Sequence, residues 1–150
     1  MIAVESKLGV SDLMYVGTSN GRVHKLAVTT DGSNPIIVET LNVFNNDTPV
    51  RNLMVVKSET SENEMSDRLI VLSDQEVASV PLFRCDSDKI RSCVECVALQ
   101  DPHCAWDLVT EECVSNKVFD QKLLQNIQTG INKDCPIIPE TMFCSTILLI

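Results

Sequence analysis

Six of the seven cysteines fall between Cys85 and Cys135, around a centre that reads CVECVALQDPHCAWD. A segment that short buries too little apolar surface to stand alone, so sulfur chemistry has to hold it. Two chemistries fit: three disulfides, or a metal bound by thiolates. A zinc site would start from Cys93-x2-Cys96 with His103 and Cys104. Neighbouring side chains such as His103 and Cys104 rarely converge on one ion, and Cys85, Cys113 and Cys135 would be left without a role. Disulfides account for all six cysteines and for the small core. Spacing does not choose among the fifteen pairings they allow.

The residues before this stretch read as strands. LMYVGTSNGRVHKLAV carries two Val- and Leu-rich runs around Asn20-Gly21, a pair that tolerates the positive φ angles of a type I′ hairpin turn. Strands are expected near Leu13–Thr18, Arg22–Val28, Ile36–Phe44, Val50–Lys57, Arg68–Leu72 and Glu76–Leu82, with breakers at Gly32 and Pro35 between the second and third. The polar segment Ser58–Asp67 reads as a solvated surface loop. YVGTSNGRV and IVLSDQEV are similar hairpins, the second one residue shorter at its turn, with Leu72 where the first has Gly17. A hairpin recurring 55 residues on, from Tyr15 to Ile70, in all-β surroundings points to blades of a β-propeller, and residues 1–84 hold about one and a half of them. The competing arrangement is an ordinary antiparallel sandwich. Beyond the cysteine-rich centre, Phe119, Leu123, Ile127 and Ile131 recur every four residues, which predicts a short helix capped by Ser115 or Asn116 and ended by Gly130. Residues 137–150 are an unassigned tail.

Composition removes several function classes. The net charge is −9, and the 12 basic residues are scattered, which argues against nucleic acid. The longest apolar run, STILLI, falls far short of the ~20 residues of a membrane helix. MIAVESKLGVSDLM lacks the marks of a signal peptide, so disulfides would make the chain a fragment or an alternative gene product of a longer secretory protein. The sequon Asn46-Asp47-Thr48 marks Asn46 as an N-glycan acceptor in a loop and agrees with that setting. No nucleophile elbow, phosphate loop or metal-binding helix motif is present. Disulfide bonding would also deny Cys104 to any partnership with His103, so no enzyme, cofactor, metal or small-molecule substrate is expected. Trp106, the only tryptophan, is expected to pack on the disulfides as core. Asp101-Pro102 reads as a turn in which Asp101 caps backbone amides; His24 and His103 read as structural.

YVGTSNGRVHKL, then VASVPLFRC, then ECVALQDPHCAWD resemble the end of a semaphorin. They are similar to the last part of a sema propeller followed by a PSI (plexin–semaphorin–integrin) domain, closest to the transmembrane, invertebrate type. The likeness runs over about residues 10–135. His103 stands where an aromatic Tyr is usual, and Leu72 replaces a small residue. The resemblance divides the chain into a partial sema domain (1–84) and a PSI domain (85–136). It implies the pairs Cys85–Cys104, Cys93–Cys135 and Cys96–Cys113, and leaves Cys144 unpaired.

The resemblance further implies a guidance ligand that binds plexin receptors and directs axon growth and cell migration. Its intact form would be a homodimer at the cell surface, carried by a single-pass membrane parent, with PSI as a rigid spacer. Two alternatives differ in kind. One is a plexin-like receptor ectodomain, whose PSI modules usually carry a further cysteine just after the tryptophan, where this chain has Asp107. The other is an intracellular zinc-binding adaptor.

Overall fold

The structure is a computed structural model that describes residues 1–8, 11–29, 34–45, 47–57, 67–85, 90–115 and 122–136. The Ser58–Asp67 loop apart from Asp67, the glycan acceptor Asn46, the tail and its Cys144 lie outside the described residues. The fold is mainly β. Strands β1 (Ile2–Leu8), β2 (Ser11–Gly17), β3 (Arg22–Thr29) and β4 (Ile36–Asn42) form an antiparallel sheet in the order β1-β2-β3-β4. Every second residue faces inward, as the pleat requires: Leu13 and Tyr15 on β2, Val23 and Ala27 on β3. β1 was not expected from the sequence. Its Ile2 and Val4 point outward and are more than half exposed, while Ala3 between them packs on the core, so apolar residues stand on both faces with no apolar-polar alternation to mark it, and its ladder with β2 defines it.

The first hairpin departs from the type I′ expectation. Thr18 and Arg22 close a three-residue loop: the Thr18 amide donates to the Arg22 carbonyl at 2.9 Å, and the Arg22 amide donates to Thr18 Oγ1 at 3.0 Å. Gly21 has φ +74°, whereas Asn20 is not in the positive-φ region. This is the turn-plus-bulge solution, which needs one left-handed residue and not two. The Gly21 carbonyl then accepts the amides of Val43 and Phe44 at 3.1 and 3.0 Å. A Cβ on Gly21 would sit 2.6 Å from the Asn45 carbonyl oxygen and 2.8 Å from that of Phe44. Gly21→Ala is therefore expected to lower stability by about 1–3 kcal/mol, since strain and clash act together. Urea unfolding would measure it, and a neutral result would mean that the loop re-forms without the Gly21 carbonyl contacts.

Strands β5 (Asn52–Val56), β6 (Arg68–Leu72) and β7 (Val77–Pro81) make a second antiparallel meander. Its turn is shorter: Ser73 and Glu76 close it, and Ser73 Oγ accepts the Gln75 and Glu76 amides. Leu53, Leu69 and Val71 join Leu13, Tyr15, Val23 and Ala27 in one cluster, so the two sheets share a single core. Each Leu or Val among them contributes about 1.5–3 kcal/mol on burial. Gly17 permits the close approach, because a Cβ there would collide with the Val50 side chain. Two meanders packed on one core are the arrangement of neighbouring blades in a partial β-propeller.

The cysteine-rich region holds helix α1 (Cys93–Ala98) and a sheet of β8 (Cys104–Asp107), β9 (Glu112–Ser115) and β10 (Leu123–Leu124), in the order β10-β8-β9. A short helix is present, but not where the four-residue recurrence placed it. Leu123 lies on β10, Ile127 begins a turn, and Ile131 is 73% exposed, while Phe119 is outside the described residues. The described part of LLQNIQTGI is pinned instead by local polar bonds. Asn126 Oδ1 accepts the Thr129 amide, and Gln125 Nε2 donates to the carbonyls of Asp101 and Cys104. Side chains that bond nearby backbone compete with the helical ladder. Among the described residues no helix is long and apolar enough to cross a membrane.

Candidate functional site

Three disulfides build the cysteine-rich module: Cys85–Cys104, Cys93–Cys135 and Cys96–Cys113, closing sequence separations of 19, 42 and 17 residues. They use all six sulfurs of the cluster, so none remains as a thiolate for zinc and the adaptor alternative loses its ligands. Cys93 and Cys96 lie three residues apart on one face of α1, next to Val97. Trp106 is 6% exposed and packs in this cluster with Val97 and Leu124, as core.

Helix α1 begins with Ser92, whose Oγ accepts the Glu95 amide at 3.3 Å, and Glu95 reaches back to accept the Arg91 amide at 2.7 Å. This is close to a capping box. The hydrogen bond from the Arg91 backbone, reinforced by Ser92, holds the Glu95 carboxyl below the usual range. A carboxyl held low in the folded state stabilises above its ordinary pKa of about 4.3, and that stabilisation is lost as pH falls through the lower folded value. Protection of the first-turn amides is thus expected to fall on acidification below about pH 4. Glu95→Gln should remove this dependence, and equal pH profiles for the two proteins would refute the assignment.

The chemistry of the site lies where this module meets the sheets. Lys25 occupies an inward position of β3, between Val23 and Ala27, and is 2% exposed. Its ammonium donates to Asp101 Oδ2 at 2.6 Å, to His103 Nδ1 at 3.0 Å and to the Leu82 carbonyl at 3.2 Å. Three donors meet three acceptors, so the buried cation is fully satisfied. An ammonium only donates, so Nδ1 of His103 must accept and the ring proton sits on Nε2. Asp101 Oδ1 accepts the His103 amide at 3.0 Å, which makes Asp101 both the expected turn cap and the counter-ion of the cation. The His103 ring lies 4.5 Å from that of Phe83 and is fully buried. Asp101, His103 and Lys25 thus tie the cysteine-rich module to β3 and to the strand exit at Leu82.

A second tie is apolar. Ile127 is 7% exposed and joins the core shared by the two sheets, although it belongs to the cysteine-rich region. Its carbonyl accepts Gln100 Nε2 at 2.7 Å. Beside this neck runs a groove of about 770 Å³ lined by Val38, Phe83, Ile90 and Leu99, with Arg84 bridging to Glu39 at 3.4 Å. Sequence reasoning missed Lys25 and placed Ile127 on a helix. The available signal for Lys25 was a charge at an inward position of an alternating strand, where burial demands a partner. His24 instead bonds Thr40 at an exposed site. Among the described residues no group of three or more His, Cys, Asp and Glu could hold a metal ion.

Comparisons with known proteins agree with this architecture. The Sema domain family matches residues 1–57, and the Plexin repeat (PSI) family matches residues 84–136. Semaphorin-1A of Schistocerca americana is 36% identical over 140 residues, which covers 87% of this chain and 19% of that protein. Semaphorin-1A of Drosophila melanogaster is 34% identical over 139 residues, covering 83% of this chain and 16% of that protein. The chain therefore spans less than a fifth of these relatives' length. Among solved structures, the extracellular domains 1–2 of Drosophila semaphorin 1a superpose with a TM-score of 0.69 at 33% identity, over 90% of this chain and 28% of that one. The matched families are sema and plexin-repeat domains and not enzymes. By its paired meanders, its three disulfides and these matches, the chain belongs to the semaphorin family.

Proposed function

We propose that the chain forms part of an extracellular semaphorin-type ligand that binds plexin receptors and directs axon growth and cell migration. Residues 1–84 are its share of the sema propeller and residues 85–136 its PSI domain, with residues 137–150 unassigned. The PSI domain acts as a rigid spacer that sets the angle of the propeller. The observation that carries the spacer role is the Lys25–Asp101 pair, which joins the two parts at 2.6 Å with both side chains buried. Ile127, seated in the sheets' core, supports it. Support for the partner comes from the solved complex of Drosophila plexin A with semaphorin 1b, where the matched chain is 34% identical with a TM-score of 0.62. The parent molecule is a single-pass membrane protein and a homodimer, in keeping with the same family, and Asn46 carries its glycan.

A receptor-side role has less support. The plexin A4 ectodomain shares the fold at 21% identity, and Asp107 stands where plexin-type PSI modules usually carry a cysteine. The test is a chimera in which these 150 residues replace the matching segment of Drosophila semaphorin 1b. Binding of the chimera to plexin A within about tenfold of the parent is expected, a change of about 1.4 kcal/mol at most. A folded chimera that no longer binds would overturn the proposal.

A further inference from the structure

The two sheets of the blades are apolar on both faces. LMYV on β2, LMVV on β5 and LIVL on β6 are unbroken apolar runs, the pattern of strands covered from both sides and not from one. Strand pairing aligns them into rows. Val4, Met14, Leu26 and Ile37 stand opposite one another across β1 to β4, on the face turned away from the shared core. Ile2 and Val16 form a second, shorter row on the same face. On the other sheet Met54 stands opposite Ile70, and Leu72 opposite Val77, again turned away from the core. Ile2, Val4, Ile37, Met54 and Val77 are each more than half exposed. The chain has 21 acidic residues, yet among the described strand residues the one carboxylate on these two faces is Asp12, near the end of its ladder. The ties to the cysteine-rich module lie on the core side, at Lys25 and Ile127.

We propose that copies of this chain join head to tail, the outward face of β1–β4 in one copy on the outward face of β5–β7 in the next, and close into a ring. The chain's own interior identifies the occupant. Its two sheets already pack inner face to inner face, with Leu13 and Val23 in one cluster with Leu69 and Val71. A joint between outward faces repeats that packing with the same kinds of side chain and the same order of sheets, and a joint repeated with one rotation closes a ring. Propellers close with about four to eight blades, so two sheets per copy call for about two to four copies. The smaller face has three strands about 4.8 Å apart and five residues of about 3.3 Å each, or roughly 240 Å² in projection. A stable pair buries about 800 Å² on each partner, so one joint alone is weak. In a ring every copy makes two joints, and the last forms within a single assembly, at high effective concentration. In the parent ligand proposed above, further blades of its own would take these faces. The ring belongs to the 150-residue chain and holds whatever the receptor.

Sedimentation of the 150-residue chain, without reductant, from about 1 to about 100 µM tests it. A mass of about two to four chains that stops rising with concentration is expected. A monomer throughout, or a mass that rises without limit, would overturn the ring. Val4→Lys blocks one face and Met54→Lys the other, and both side chains are exposed, so the fold is kept. Each variant alone has one usable face and should sediment as a monomer. Mixed, the two intact faces form a single joint. In ¹⁵N-labelled Val4→Lys, unlabelled Met54→Lys should then shift the amides of β5–β7 and leave those of β1–β4 in place. No shift, or an equal shift with unlabelled Val4→Lys as partner, would overturn the head-to-tail joint. Should either variant not fold, Ile37→Lys and Val77→Lys block the same two faces.

Discussion

Asp101→Ala is expected to destabilise the protein by about 3–5 kcal/mol, the usual cost of removing one partner from a buried ion pair. The Lys25 ammonium would keep two neutral acceptors, the Leu82 carbonyl and His103 Nδ1, and lose its counter-ion at 2.6 Å. With side chains only 2% and 7% exposed, solvent cannot take over that role. The same substitution removes the cap on the His103 amide, which adds to the loss. The double replacement Lys25→Met with Asp101→Leu removes both charges and should cost far less, because a buried pair is worth little against apolar groups of similar size. Urea unfolding of the wild type, Lys25→Met, Asp101→Leu and the double variant, without reductant, gives the coupling. A loss below about 1 kcal/mol for Asp101→Ala would show that water reaches Lys25 and that the neck is loose.

The second large effect is expected from the longest disulfide loop. Replacing Cys93 and Cys135 together by serine should cost about 4 kcal/mol from the loop-closure relation, against about 3 kcal/mol for either of the other pairs. The ranking follows from separations of 42, 19 and 17 residues. Trp106 makes the measurement local. As the only tryptophan, buried among the cysteines, its fluorescence reports the cysteine-rich module, whereas the far-ultraviolet signal reports mainly the blades. Equal losses for all three pairs would mean that native strain or residual unfolded-state structure outweighs chain entropy.

The sheets were legible because period-2 alternation survives wherever one face is buried. Leu13, Tyr15, Val23 and Ala27 show this, and β1, with Ile2 and Val4 turned outward, shows where it fails. The Asn20-Gly21 pair announced a hairpin but not its type, since Thr18 Oγ1 and the Gly21 carbonyl decide that through contacts outside the pair. Spacing left the cysteine pairing open, and only the family resemblance singled out the set that the structure holds. The supposed helix failed because its four-residue recurrence reflected one anchor, Ile127, and one strand residue, Leu123, serving different partners. Lys25 escaped notice because its partner lies 76 residues away, beyond any local pattern.

Ile127 has a consequence for the order of events on the ribosome. The core between the two meanders is finished only by a residue that follows the last of their strands, β7, by more than forty positions. Synthesis is slow beside strand pairing, so the blades emerge first and wait with a gap in their interior. The cysteine-rich segment then arrives as a stopper as well as a stalk. Chains released after Arg84 are expected to bind a hydrophobic dye where full chains do not, and quality control in the secretory pathway would meet that difference as a checkpoint.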